Sequence, residues 1–233
     1  MPCTLPASLA DAAVCRGSFH AVLGGEAGEA VFADFSAALQ KAQAEGRILT
    51  ASLFRYENQL FFYAEGLNRP FTPQGLCPAL DAALLPWPPA LGETAPRPWA
   101  AMQPYFYHDV PTTAADWQQG RCPQRRRGRI ALLPPDSWCS YMEHHLRIVT
   151  EGLVEGDRWH LICVQEGVLF SYLEEPRTNV NIKHRPGAHS PELDAWIAAD
   201  PESHFARFTP EQKAHPDSSH NFVFLPRIAG TED

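Results

Sequence analysis

Tyr141 and His145 stand four residues apart in "SYMEHHLRIV", with His144 between them. On a helix, positions i and i+4 share a face, so the phenol and the imidazole would project side by side. A neutral imidazole near pH 7 can take or give a proton, typically worth about 100- to 10,000-fold in rate, while the phenol orients a hydroxyl. The plainer alternative is that both are satisfied groups on the buried face of a helix. His144 falls on the flank or the solvent side of that helix. The other histidines offer less: His184 and His189 in "IKHRPGAHS", then His204, His215 and His220, lack the compact spacing of a zinc site. No metal and no cofactor are expected, although a lone histidine can also serve as a proximal haem ligand.

The elements that would position the pair emerge from an internal repeat. Leu60, Phe61, Tyr63 and Glu65 of "QLFFYAEGL" match Leu169, Phe170, Tyr172 and Glu174 of "VLFSYLEEP", each pair 109 positions apart. The same gapless offset places "FHAVL" on "GRIAL", Phe32 on Tyr141, Leu39 on Ile148 and Leu53 on Ile162. Strands are expected at about 18–24, 48–56 and 59–66, with "YENQ" as the hairpin turn. A helix with Val31, Phe32, Phe35, Ala38, Leu39 and Ala42 at helical spacing stops at Gly46. A second helix runs through "TPQGLCPALDAALL" and a last strand through "AAMQPYFYHDV". The second half repeats the order: strand 128–133, helix 137–153, strands 158–164 and 168–174, helix 190–199 and strand 220–226.

The order is βαββαβ twice. That predicts an α+β chain of two tandem ferredoxin-like units, residues 1–111 and 127–233, joined by a linker at 112–126. One such sheet leaves a face bare, so the two units are expected to pack sheet to sheet as an intramolecular dimeric α/β barrel, which makes the chain a monomer. The basic run "RCPQRRRGR", with Arg121, Arg125, Arg126, Arg127 and Arg129, reads as a solvated linker entering a strand, or as an anion grip.

Composition bounds the partners. The 233 residues are 45% hydrophobic and 20% charged with a net charge of −8, which argues against a general nucleic-acid binder. No apolar run is long enough to span a bilayer. The first residues lack the basic stretch and apolar core of a signal peptide, and the six cysteines form no C-x-x-C pair, so the expectation is a cytoplasmic protein with reduced thiols.

With "YMEHH" on a helix and "GVLFSYLEEP" as a hairpin, residues 127–176 resemble the L-rhamnose mutarotase family of dimeric α/β barrels. The resemblance implies an isomerase that interconverts the anomers of a small monosaccharide, His145 moving the proton and Tyr141 orienting a hydroxyl. It also implies substrate contacts from Trp159 as a stacking wall, His160, Tyr172, Glu174 at the hairpin end, and His204 with Phe205. Those last two stand where the family has a Trp-Trp pair. Phe32 and Ser36 occupy the Tyr and His positions in the first half, so only the second half would carry a pocket. The alternatives are a non-catalytic ligand-binding barrel and a haem or monooxygenase-type barrel.

Overall fold

The computed structural model describes residues 6–179, 182–213 and 215–231; Cys3 and the first five residues of the chain lie outside them. In chain order the elements are β1 (Val14–Leu23), α1 (Glu29–Ala44), β2 (Ile48–Tyr56), β3 (Gln59–Leu67), α2 (Pro78–Ala82), β4 (Leu84–Leu85), β5 (Ala100–Ala101), β6 (Gln103–Tyr107) and α3 (Ala114–Gln118). Then follow β7 (Arg125–Leu132), α4 (Pro135–Glu151), β8 (Val154–Glu155), β9 (Leu161–Gln165), β10 (Val168–Glu175), β11 (Lys183–His184), α5 (Pro191–Ala198), β12 (Val223–Leu225) and β13 (Arg227–Gly230). The chain is mixed α+β and its strand pairs are antiparallel.

Two compact units form, and each takes a strand from the other half of the sequence. The first comprises residues up to Met102, Pro111–Pro123 and the stretch from Pro226 on; the second comprises Gln103–Val110 and Gln124–Leu225. In the first unit the strands run β13-β2-β3-β1-β4, with β5 also on β1; in the second they run β12-β7-β10-β9-β6. The strand expected through residues 100–110 is broken at Met102, and the one expected at 220–226 is confined to Val223–Leu225 and followed, after Pro226, by a further strand, β13. The strands beyond these points, β6 and β13, pair with β9 and β2. The two units thus cut across the expected segments 1–111 and 127–233. An unpaired edge strand is a liability, and β2 and β9 would each be one without the strand supplied by the opposite half. Pro104 of β6 has no N–H to donate, which suits the edge position and the bulge beside it.

Helix α1 buries Phe32, Phe35, Leu39 and Ala42 against Ala21, Leu53, Leu60 and Phe62 of the sheet. The predicted second helix is only five residues long, Pro78–Ala82. Both main hairpins close tightly, through Glu57 (φ 52°) in one and Glu166 and Gly167 (φ 50° and 78°) in the other, the backbone twist that two-residue turns require. Gly66 in β3 is required by a close approach: a Cβ there would stand 2.3 Å from the Arg69 carbonyl oxygen and 3.0 Å from the Phe71 nitrogen. Both are backbone atoms that cannot swing aside, so Gly66→Ala is expected to cost about 1–3 kcal/mol. Urea unfolding of the variant checks this; an unchanged midpoint would show that the 69–71 turn relaxes freely.

The basic run is partly buried: Arg121 and Arg127 are buried, whereas Arg125 is exposed. Trp117 of α3 is fully buried, Arg121 pairs with Glu65 at 2.7 Å, and Arg127 in β7 bonds Glu175 at 3.0 Å and Asp217 at 2.7 Å. Cys15, Cys77, Cys122, Cys139 and Cys163 are free thiols, and among the described residues no helix is long and apolar enough to cross a membrane.

Candidate functional site

The second unit holds a cavity of about 420 Å³ between its sheet and its helices. Its origin is visible in strand register. In the first unit the helix-facing row across the sheet is Phe19, Phe62 and Leu53; the row in the second unit is Arg129, Ser171 and Ile162. Phe62 fills its space against Phe35 and Trp99, with ring centroids 5.7 and 6.1 Å away. Ser171 in the same place leaves the volume of a ring open, and an arginine stands where Phe19 stands.

That alignment corrects the gapless offset. The hairpin pairs Leu53↔Phe62 and Ile162↔Ser171 keep the shift of 109, but Ser18 faces Tyr63 whereas Gly128 faces Tyr172. Phe19 therefore corresponds to Arg129, not to Gly128. The second half has one residue fewer between this strand and its helix, and a slip of one position moves each side chain to the other face.

Tyr141 and His145 of α4 both line the cavity and are 3% exposed. Their rings lie 4.2 Å apart. His145 Nδ1–H donates to the Tyr141 carbonyl at 2.9 Å, which leaves Nε2 as the acceptor of the ring. Burial drives the His145 pKa down to about 4, against the pull of that carbonyl. Burial likewise pushes the Tyr141 phenol up to about 12. His108, delivered by the segment after β6, also lines the cavity and is lowered to about 4 by burial. Phe106 and Trp196 pack edge-on to His145 at 4.5 and 4.7 Å.

The other expected contacts divide. His160 and Phe205 line the cavity. Trp159, the expected stacking wall, is buried outside the cavity lining. Tyr172 and Glu174 alternate with Ser171 along β10 and so lie on its other face; the Tyr172 hydroxyl donates to Glu174 at 2.6 Å. Tyr63 and Glu65 repeat that bond at 2.6 Å in the first unit, so the Tyr-x-Glu pair is a feature of both hairpins. His204 lies behind the lining, its ring 5.9 Å from Tyr141. His144 flanks Trp196 at 5.3 Å.

Asp157, Arg129 and Ser171 are cavity residues that motif reading missed. Asp157 is fully buried and pairs with Arg177 at 3.2 Å. The signal for Ser171 was the unmatched column of the repeat, Phe62 against Ser171, inside an otherwise conserved strand pattern.

Away from the cavity, folding brings His184, His189 and Asp194 together, with Nε2 to carboxylate distances of 3.5 and 3.3 Å. The Ser190 N–H donates to His184 Nδ1 at 3.0 Å. A neutral His184 must then carry its proton on Nε2, facing Asp194. That tautomer forms a histidine–carboxylate hydrogen bond and withholds from a metal the nitrogen lone pair it would need.

No family model and no curated protein matches the chain. Among solved structures, a Lactobacillus acidophilus NCFM protein provisionally described as a monooxygenase matches with TM-score 0.38 and 8% identity, over 94% of this chain and 96% of that one. A Fusobacterium nucleatum protein of the same description gives 0.40 and 9%, over 94% of each chain. An anthrone oxidase-like protein gives 0.37 and 9%, over 94% and 92%. The resemblance to L-rhamnose mutarotases is corrected by these findings, since the structures matched are described as monooxygenase and oxidase-like proteins.

Proposed function

We propose that the chain is a small-molecule-binding protein: two ferredoxin-like units in one monomer, of which the second takes up a compact, flat organic ligand without turning it over. The observation that carries this reading is the cavity of about 420 Å³ at the position where the first unit packs Phe19 and Phe62. Ligand pockets commonly span about 300–1,000 Å³ and combine apolar walls with a few convergent polar groups. Here Phe106, Trp196 and Phe205 form walls, and Tyr141, His145 and His160 are the polar contacts. Proton transfer at neutral pH favours a group whose pKa is near 7. His145, held at about 4, is a hydrogen-bond acceptor and a weak base, which favours binding over acid–base turnover.

Ser171→Phe tests the reading by returning the ring that the first unit has. Saturation-transfer NMR against a panel of bicyclic aromatic compounds is expected to detect binding to the wild type and a loss of about tenfold or more in the variant, whose core is better filled. Binding that survives Ser171→Phe would place the ligand elsewhere. Conversion of a bound compound under air, including the oxygenation for which the matched structures are described, would replace the non-catalytic reading with an enzymatic one.

A further inference from the structure

Arg129 is anomalous in its surroundings. It projects from β7 onto the helix-facing side of the sheet, directly across from Ser171, at the position that holds Phe19 in the first unit. One side of its guanidinium lies 4.3 Å over the Phe222 ring. Its Nε is buried without a hydrogen-bond partner among the described residues. The other charges of the cavity are engaged: Arg177 is held by Asp157 at 3.2 Å, and the Glu202 carboxylate accepts from the Asn221 amide. Burial and Arg177 lower the pKa of Arg129 to about 10, still far above neutral, so the group stays charged. Arg129 is half-buried as a residue, but a guanidinium with a buried, unpartnered Nε and no ion pair among the described residues is costly for a fold to keep, and a hydrophobic residue of similar size would fill the same place.

We infer that Arg129 is the anion anchor of the cavity, and that the ligand carries a carboxylate on an aromatic or other flat cyclic body. The inference rests on the cavity being a small-ligand site and specifies what it takes. A guanidinium presents a planar fork that matches a carboxylate through two parallel hydrogen bonds. Phe222 fixes the plane of that fork, and the rings of Phe106, Trp196 and Phe205 offer flat contacts to the body of the ligand.

Calorimetric titration of the full chain with 1-naphthoate and with its neutral isostere 1-naphthamide tests this in the wild type and in Arg129→Met. The wild type is expected to prefer naphthoate by about tenfold or more, the effect of one charge-assisted bidentate contact. Arg129→Met is expected to lose that preference while still binding the amide. A thermal midpoint equal to or above that of the wild type would show that the variant folds. Equal naphthoate binding by the wild type and Arg129→Met would overturn the anchor, as would an amide preference in the wild type, and either result leaves the cavity a ligand site. Failure of both probes to bind the wild type would overturn the anchor and the binding reading together.

Discussion

Replacing Arg121 with alanine is expected to destabilise the first unit by about 3–5 kcal/mol, the usual result of removing one partner of a buried ion pair. The Glu65 carboxylate is fully buried in β3 and accepts from Arg121 Nη1 and Nη2 at 2.7 and 2.9 Å, from Trp117 Nε1 at 3.0 Å and from the Tyr63 hydroxyl at 2.6 Å. Burial alone would raise its pKa, but the charge and hydrogen bonds of Arg121, with help from Tyr63 and Arg16, hold it below the ordinary carboxylate value. A depressed carboxylate pKa contributes stability that is present above the unfolded pKa and is lost as pH falls through the folded one. The wild type therefore keeps the whole contribution at pH 7. Arg121→Ala leaves a buried carboxylate with neutral donors and only the more distant charge of Arg16, so its pKa is expected to rise. Urea unfolding at pH 7 measures the loss; a change below about 1 kcal/mol would mean that the pair behaves as an exposed one. The double variant Glu65→Leu/Arg121→Met removes both charges and is expected to recover much of the loss, because apolar replacement of a whole buried pair is often neutral.

Acid is expected to weaken the second unit well above the carboxylate range. His145 has a folded pKa of about 4 against an unfolded value of about 6.5. With the folded value lowered, the unfolded chain binds the extra proton. Stability is therefore complete above about pH 6.5 and falls between there and pH 4. The linkage amounts to about 2 kcal/mol at pH 5 for this buried residue. His108, also lowered to about 4 by burial, acts in the same direction. Hydrogen exchange of the β10 amides at pH 7.5 and 5 would read the change locally, and His145→Phe is expected to reduce it, leaving the part due to His108. A pH-independent opening free energy for β10 in the wild type would show that His145 is hydrated in solution. Any occupant of the cavity that supplies negative charge near His145 would raise its pKa and narrow the window.

The sequence by itself determined what depends on local pattern. The helical spacing from Tyr141 to Ile148 predicted 137–153, and α4 spans Pro135–Glu151, stopped by Gly152 at φ 68°. Apolar runs on either side of the turn "YENQ" predicted strands at 48–56 and 59–66, found at Ile48–Tyr56 and Gln59–Leu67. The i, i+4 rule placed Tyr141 and His145 on one buried face, because helix geometry alone decides which side chains share a side.

Only the tertiary structure decided what depends on partners far along the chain. That β6 and β13 would add to the sheet of the opposite half was set by which edges stood open, and edge pairing leaves no mark in the strand itself. Period-2 alternation is ambiguous by one residue until a neighbouring strand fixes the register. Trp159 and His160, expected on a strand, fall instead in the turn before β9, from which His160 alone of the two lines the cavity. Register does decide Arg129: read from the sequence as part of a basic run entering a strand, it is set on the cavity side of β7 opposite Ser171, without an ion-pair partner among the described residues. The cavity has the same cause: a serine at 171 is an ordinary strand residue until the register sets it between Arg129 and Ile162, where the other half of the chain has a phenylalanine between Phe19 and Leu53.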